Sequence, residues 1–212
     1  MNKSCLQWVD KYRPLGCEDI LGNTDNVLKI KAWLQNFKDK KIKDQKTFKN
    51  AILISGPPGI GKTSAAHILM KEMGFDTIEF NASELRTSRE LCDKLHSILN
   101  AKSIKMMFNK SLVTGIIMDE IDGIENKKEC TSSDLIDFFN FETNNFYAKK
   151  ANKKILKKHR VTHINKNPII CICNSVDKNL SSIMKEVIHF RFQPPSDIDI
   201  YKLLKRINDK EE

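Results

Sequence analysis

The chain has 212 residues, of which 40% are hydrophobic and 30% charged, and it carries a formal net charge of +9. That length suits one main domain with at most a small appendage, and the composition is that of a folded chain rather than a disordered one. No apolar run reaches the ~18 residues of a membrane-spanning helix, and Met1-Asn2-Lys3-Ser4 leads into charged sequence rather than an apolar signal core, so neither membrane insertion nor secretion is expected.

In chain order, the first periodic stretch places Leu28, Ile30, Trp33, Leu34 and Phe37 at helical spacing. It overlaps a basic run: residues 29–50 hold eight Lys against two Asp. Ala51-Ile-Leu-Ile-Ser55 then reads as a buried strand, followed by a glycine-rich loop and a helical Ser64–Lys71. Thr77–Asn81 has strand length, Leu91, Leu95, Ile98 and Leu99 recur at helical spacing, and Val113–Met118 is a third strand.

Residues 127–167 are longer than a simple crossover needs. They open with an amphipathic helix, Asp134–Phe141, and become basic, with Lys pairs at 149/150, 153/154 and 157/158 spaced to share one helical face. Residues 141–166 hold seven Lys and one Arg against one Glu. The two basic windows outweigh the whole net charge, so the basicity is local. Such runs suit either a polyanion or a solvated surface. Pro168–Cys173 and Val187–Phe192 complete five strands, and Asp197–Glu212 reads as one amphipathic helix. Alternating strands and helices predict an α/β domain whose five-stranded parallel sheet is covered on both faces. Cys171 and Cys173 alternate within a buried strand and lack a second Cys/His pair at ligand spacing, so they read as small core residues rather than zinc ligands.

The strongest motif is Gly56-Pro57-Pro58-Gly59-Ile60-Gly61-Lys62-Thr63, a full match to G-x-x-x-x-G-K-[ST] between a strand and a helix. Glycines let backbone N–H groups curl around phosphate, and the helix N-terminus favours the anion. Lys62 is expected to bridge the β- and γ-phosphates, with Ser64 beside them, and Thr63 to ligate Mg²⁺. Ile117-Met118-Asp119-Glu120 delivers two acids at a strand end 57 residues after Lys62. Asp119 is expected to hold Mg²⁺ and Glu120 to orient and deprotonate the attacking water. Asn174 closes another strand, 55 residues after Asp119. An amide there can reach a γ-phosphate, but Asn at a strand end is also an ordinary turn residue, which is the better reading on the pattern alone.

Trp8-Val-Asp-Lys11-Tyr12-Arg13-Pro14, Leu21-Gly22-Asn23, the phosphate loop, Phe80-Asn81-Ala82-Ser83-Glu84, Met118-Asp-Glu-Ile-Asp-Gly123, Cys171-Ile-Cys-Asn174 and Arg191-Phe-Gln193, in that order, resemble the AAA+ replication factor C clamp loaders, and the large subunit more than the small ones. The likeness covers about residues 6–195. It implies a nucleotide-binding domain over 1–195, with an adenine-pocket and helical segment at 1–50 and the basic 127–167 as an insertion, and the start of a helical lid at 196–212.

It further implies that Val9, Tyr12 and Leu21 line the adenine pocket and that Asn174 is the γ-phosphate sensor rather than a turn residue. Arg86, Ser88 and Arg89 would meet DNA phosphates. Ile104, Met107 and Phe108, one helical turn's apolar face, would enter a pocket on a sliding clamp, the alternative being ordinary core packing. The implied partners are small clamp-loader subunits, the sliding clamp and primer–template DNA, with ATP and Mg²⁺ as cofactors, in the nucleus of a cell or at an intracellular replication site of a virus.

Two departures stand out. Small subunits carry a Ser-Arg-Cys arginine finger where this chain has Lys185-Glu186-Val187, so no finger is expected from it. The resemblance also implies more lid, and a collar, than 212 residues hold, so the chain reads as a minimal member or a piece of a longer product. A nucleotide-binding scaffold with little hydrolysis, or a different AAA+ remodeller, are the competing readings.

Overall fold

The structure, a computed structural model, describes residues 7–39, 49–81, 113–123, 167–177 and 180–211. Its elements are α1 (Trp8–Lys11), α2 (Thr24–Lys38), β1 (Ala51–Ser55), α3 (Lys62–Glu72), β2 (Asp76–Asn81), β3 (Thr114–Asp119), β4 (Ile169–Cys173), α4 (Ser181–Glu186), β5 (Val187–Arg191) and α5 (Asp197–Glu211). The strands form one sheet in the order β2-β3-β4-β1-β5, and every pairing is parallel.

The expected five-stranded parallel sheet is therefore present. Its central strands β1 and β4 are buried at every position, which is why Ala-Ile-Leu-Ile and Ile-Ile-Cys-Ile-Cys read as continuous apolar runs without alternation. Val27, Ile30, Trp33, Leu34 and Phe37 of α2 pack with Ala65, Ala66, Leu69 and Met70 of α3 against Ile52, Ile54, Ile117 and Ile170 on one face. On the other face Leu180 and Ile183 cover Leu53, Met118, Cys171 and Val187. Burying each such aliphatic side chain contributes about 1.5–3 kcal/mol. Leu28, counted with the helical stripe, is instead 59% exposed: the buried face runs 27-30-34 and 33-37, and position 28 lies off it.

Parallel strands share one carboxyl edge, so Ser55, Asn81, Asp119 and Cys173 all end there. The chain entering α2 is tied to that edge. Asn23, held at φ 57°, donates through Nδ2 to the Gln193 carbonyl (2.8 Å) and accepts from the Gln193 N–H through Oδ1 (2.8 Å), while Asn26 Nδ2 donates to the Arg191 carbonyl (2.9 Å). These bonds hold the Leu21-Gly22-Asn23 turn against the exit of β5, next to the phosphate loop. Among the described residues no helix is long and apolar enough to cross a membrane.

Candidate phosphate-binding site

The loop between β1 and α3 owes its shape to two glycines. Gly61 caps α3 at φ 88°, a conformation that disfavours any side chain. At Gly56 a Cβ would lie 2.5 Å from the Phe192 carbonyl oxygen, a backbone atom with little room to yield. The loop bounds a cleft of about 390 Å³ lined by Pro58, Gly59, Gly61–Ser64, Asp119, Glu120 and Asn174. Every residue expected to handle phosphate, metal or water thus lies at this edge; Gly56, Pro57 and Ile60 belong to the same loop.

Lys62 is 6% exposed. Its Nζ donates to the carbonyls of Gly56 and Pro57, both at 2.8 Å, and to Asn174 Oδ1 at 2.9 Å. Burial pulls its pKa below the ordinary value, while the charge of Asp119 opposes the shift. A buried ammonium resting on three neutral acceptors gains from an incoming anion, because burying charge is costly without an opposite charge. Asn174 closes β4 as expected and faces Lys62 across the cleft.

Thr63 Oγ1 donates to Asp119 Oδ2 at 2.7 Å. Both are hard oxygen donors of the kind that could serve Mg²⁺, which binds through one or two protein oxygens and keeps its remaining positions for water and phosphate oxygens. Among the described residues no group of three or more His, Cys, Asp or Glu could hold a metal by itself. Burial pushes the Cys171 thiol up, and Cys173 up to about 12.

Glu120 lies one residue beyond β3 with φ 53°, so it leaves the strand through a left-handed turn rather than pointing opposite Asp119 along it. Its N–H donates to Asp119 Oδ1 at 2.8 Å, and its carboxylate accepts from Asn81 Nδ2 at 2.8 Å. Asn81 ends β2 in register with Asp119. Sequence reading assigned it no role, although the rule that singled out Asn174, a polar residue closing an apolar strand, applies equally to it.

The residues expected around adenine are more dispersed. Val9 is 81% exposed, and Leu21 is half-buried in the turn tied to β5. Tyr12 donates its hydroxyl to Glu211 at 2.6 Å, and Lys11 pairs with the same carboxylate, joining α1 to the end of α5. None of the three lines the phosphate cleft. Arg86, Ser88, Arg89, Ile104, Met107 and Phe108, with the amphipathic 134–141 and the Lys-rich 149–160, lie outside the described residues.

Residues 52–194 match the family of ATPases associated with various cellular activities, AAA. The chain is 33% identical over 215 residues to replication factor C subunit 1 of Drosophila melanogaster, covering 90% of this chain and 19% of that protein. It is 38% identical over 124 residues to the replication factor C large subunit of Thermofilum pendens, covering 58% and 28%. The large-subunit likeness read from the motifs is thereby supported, with the chain spanning about a fifth of the length of the subunit 1 relatives. The solved structure of the Thermotoga maritima RuvB Holliday junction branch migration motor superimposes with a TM-score of 0.57 at 17% identity, over 94% of this chain and 55% of that one. That likeness speaks to the fold alone.

Proposed function

The chain belongs to the AAA family of ATPases, and on that footing we propose that it is the ATP-binding, ATP-hydrolysing subunit of a clamp loader that sets a sliding clamp on primer–template DNA. The observation that carries the reading is the convergence of buried Lys62, the Thr63–Asp119 pair and Glu120 on one cleft at the sheet's carboxyl edge. The large-subunit likeness supplies the clamp-loading context.

In this reading the loop amides of residues 56–64 and the Lys62 ammonium receive the β- and γ-phosphates, Lys62 exchanging carbonyl partners for phosphate oxygens. Thr63 and Asp119 hold Mg²⁺, which when bound neutralises charge on the phosphates. Glu120 takes the proton of the attacking water, and Asn81 holds its carboxylate in place. Asn174 meets the γ-phosphate from the β4 side. Val9, Tyr12 and Leu21 flank the adenine, Arg86, Ser88 and Arg89 track DNA phosphates, and Ile104, Met107 and Phe108 contact the clamp. Residues 1–195 form the nucleotide-binding domain and 196–212 begin the lid. Small clamp-loader subunits complete the assembly, and the work is done in the nucleus or at a viral replication site.

The test is ATP turnover by the chain with its small subunits, clamp and primer–template DNA. The isolated chain is expected to be nearly inactive, because the arginine that stabilises the transition state comes from a neighbour. Glu120→Gln should lower kcat by about 10²-fold or more while the affinity for ATP and Mg²⁺ changes little. Unchanged turnover in that variant would refute the assignment of the water-activating base, and failure to bind adenine nucleotide with Mg²⁺ in calorimetry would refute the whole reading.

A further inference from the structure

Asp122 has no part in the phosphate chemistry described so far. It is half-buried in the 3-10 turn Ile121–Gly123 that follows Glu120, and that turn is anchored by Ile121, which is fully buried in the core. Asp122 Oδ2 accepts the backbone N–H of Asn174 at 3.0 Å, and Asn174 Oδ1 in turn accepts from Lys62 Nζ at 2.9 Å. The carboxylate thus holds the backbone of the same residue whose side-chain amide faces the phosphate cleft.

β4 ends at Cys173, so the Asn174 backbone has just left the sheet ladder. Rotation there would swing the side-chain amide by ångströms, and an error of ~1 Å in a positioning group can cost two orders of magnitude in rate. A hydrogen bond to an acceptor on a core-anchored turn removes that freedom.

We infer that Asp122 is a positioning residue that fixes the Asn174 amide relative to Lys62 and the terminal phosphate, so that one turn both presents Glu120 and holds the phosphate-reading amide. The inference rests on the cleft being an ATP site. The rival explanation, a direct field of Asp122 on Lys62, needs the charge of residue 122; positioning needs only an acceptor of the right reach. Asp122→Asn keeps the acceptor and loses the charge, Asp122→Ala loses both, and Asp122→Ser is too short to reach and serves if the alanine variant does not fold.

Two measurements decide it. Amide hydrogen exchange at Asn174, followed by NMR on the nucleotide-free chain, should be about tenfold faster in Asp122→Ala or Asp122→Ser than in wild type, and within about threefold of wild type in Asp122→Asn. Calorimetry then gives the ratio of ADP to ATP dissociation constants. Asp122→Ala and Asn174→Ala should each shift that ratio toward ADP, and the double variant should be no worse than Asn174→Ala alone, because Asp122 acts through Asn174.

An Asn174 amide equally fast in wild type and Asp122→Ala overturns the inference, as do multiplicative losses in the double variant or an Asp122→Asn variant as impaired as Asp122→Ala. In each of these cases nucleotide binding by the wild type leaves the ATP reading standing. A wild-type chain that binds no nucleotide, with the Asn174 amide still protected, overturns the ATP reading first and the phosphate role of Asp122 with it.

Discussion

Lys62 shows how a single residue can be read at two depths. Its identity in G-x-x-x-x-G-K-T already pointed to phosphate, but only its burial on three neutral acceptors gives the physical reason why an anion is welcome. Gly56 is similar: the motif requires glycine there, and the structure supplies the cause in the Phe192 carbonyl, 2.5 Å from where a Cβ would stand. Gly56→Ala should push the loop away from β5, weakening Mg²⁺–ATP binding about tenfold or more and lowering stability by ~1–3 kcal/mol, to be checked by calorimetry and urea unfolding. Had Glu120 continued the strand, its side chain would point to the face opposite that of Asp119. The left-handed φ at Glu120 takes it off β3 and into reach of Asn81, a torsion that no pattern of residue types discloses.

Among the elements, α3 is held from both ends of its surroundings. Glu72 in its last turn accepts the N–H of Cys17 at 3.1 Å and pairs with Lys31 of α2, so the entering chain, α2 and α3 meet on one carboxylate. Hydrogen bonds from the Cys17 thiol and from Lys31 depress its pKa from the ordinary 4.5 to about 2. Burial first, then this carboxylate, pushes the Cys17 thiol up to about 12. A carboxylate depressed in the folded state stabilises the fold above its unfolded value and ceases to do so as pH falls through the folded one. Unfolding midpoints should therefore drop between about pH 4.5 and about pH 2, and Glu72→Gln should flatten that limb by lowering the pH 7 midpoint toward the acid one, a small step because the pair is surface-exposed and individually weak. The basic stretch 29–50 is partly explained here: Lys31 serves this contact and Lys49 donates to the Val187 carbonyl at 3.0 Å, so in these two positions the charge is structural.

For the whole molecule, the sheet decides where chemistry can occur. Ile54, the next-to-last residue of β1 before the phosphate loop, is fully buried in the core that the sheet shares with α2 and α3. Ile54→Ala should cost about 2–5 kcal/mol of unfolding free energy, read by urea titration, yet leave nucleotide affinity of the folded fraction nearly unchanged. A large loss of affinity without a loss of stability would contradict the view of the sheet as a passive scaffold. The five strands, α2, the phosphate loop, α3 and α5 were legible in the residues alone, because burial on both faces of a parallel sheet and the steric demands of a phosphate loop each restrict the permitted side chains locally. The strand order, the Asn23–Gln193 clasp, the Asn81–Glu120 bond and the Asp122–Asn174–Lys62 chain were decided only by the tertiary structure. They join residues tens to more than a hundred positions apart, and hydrogen bonds between such residues depend on distances and torsions that packing sets, whereas the identity of a residue settles only which bonds it is able to make.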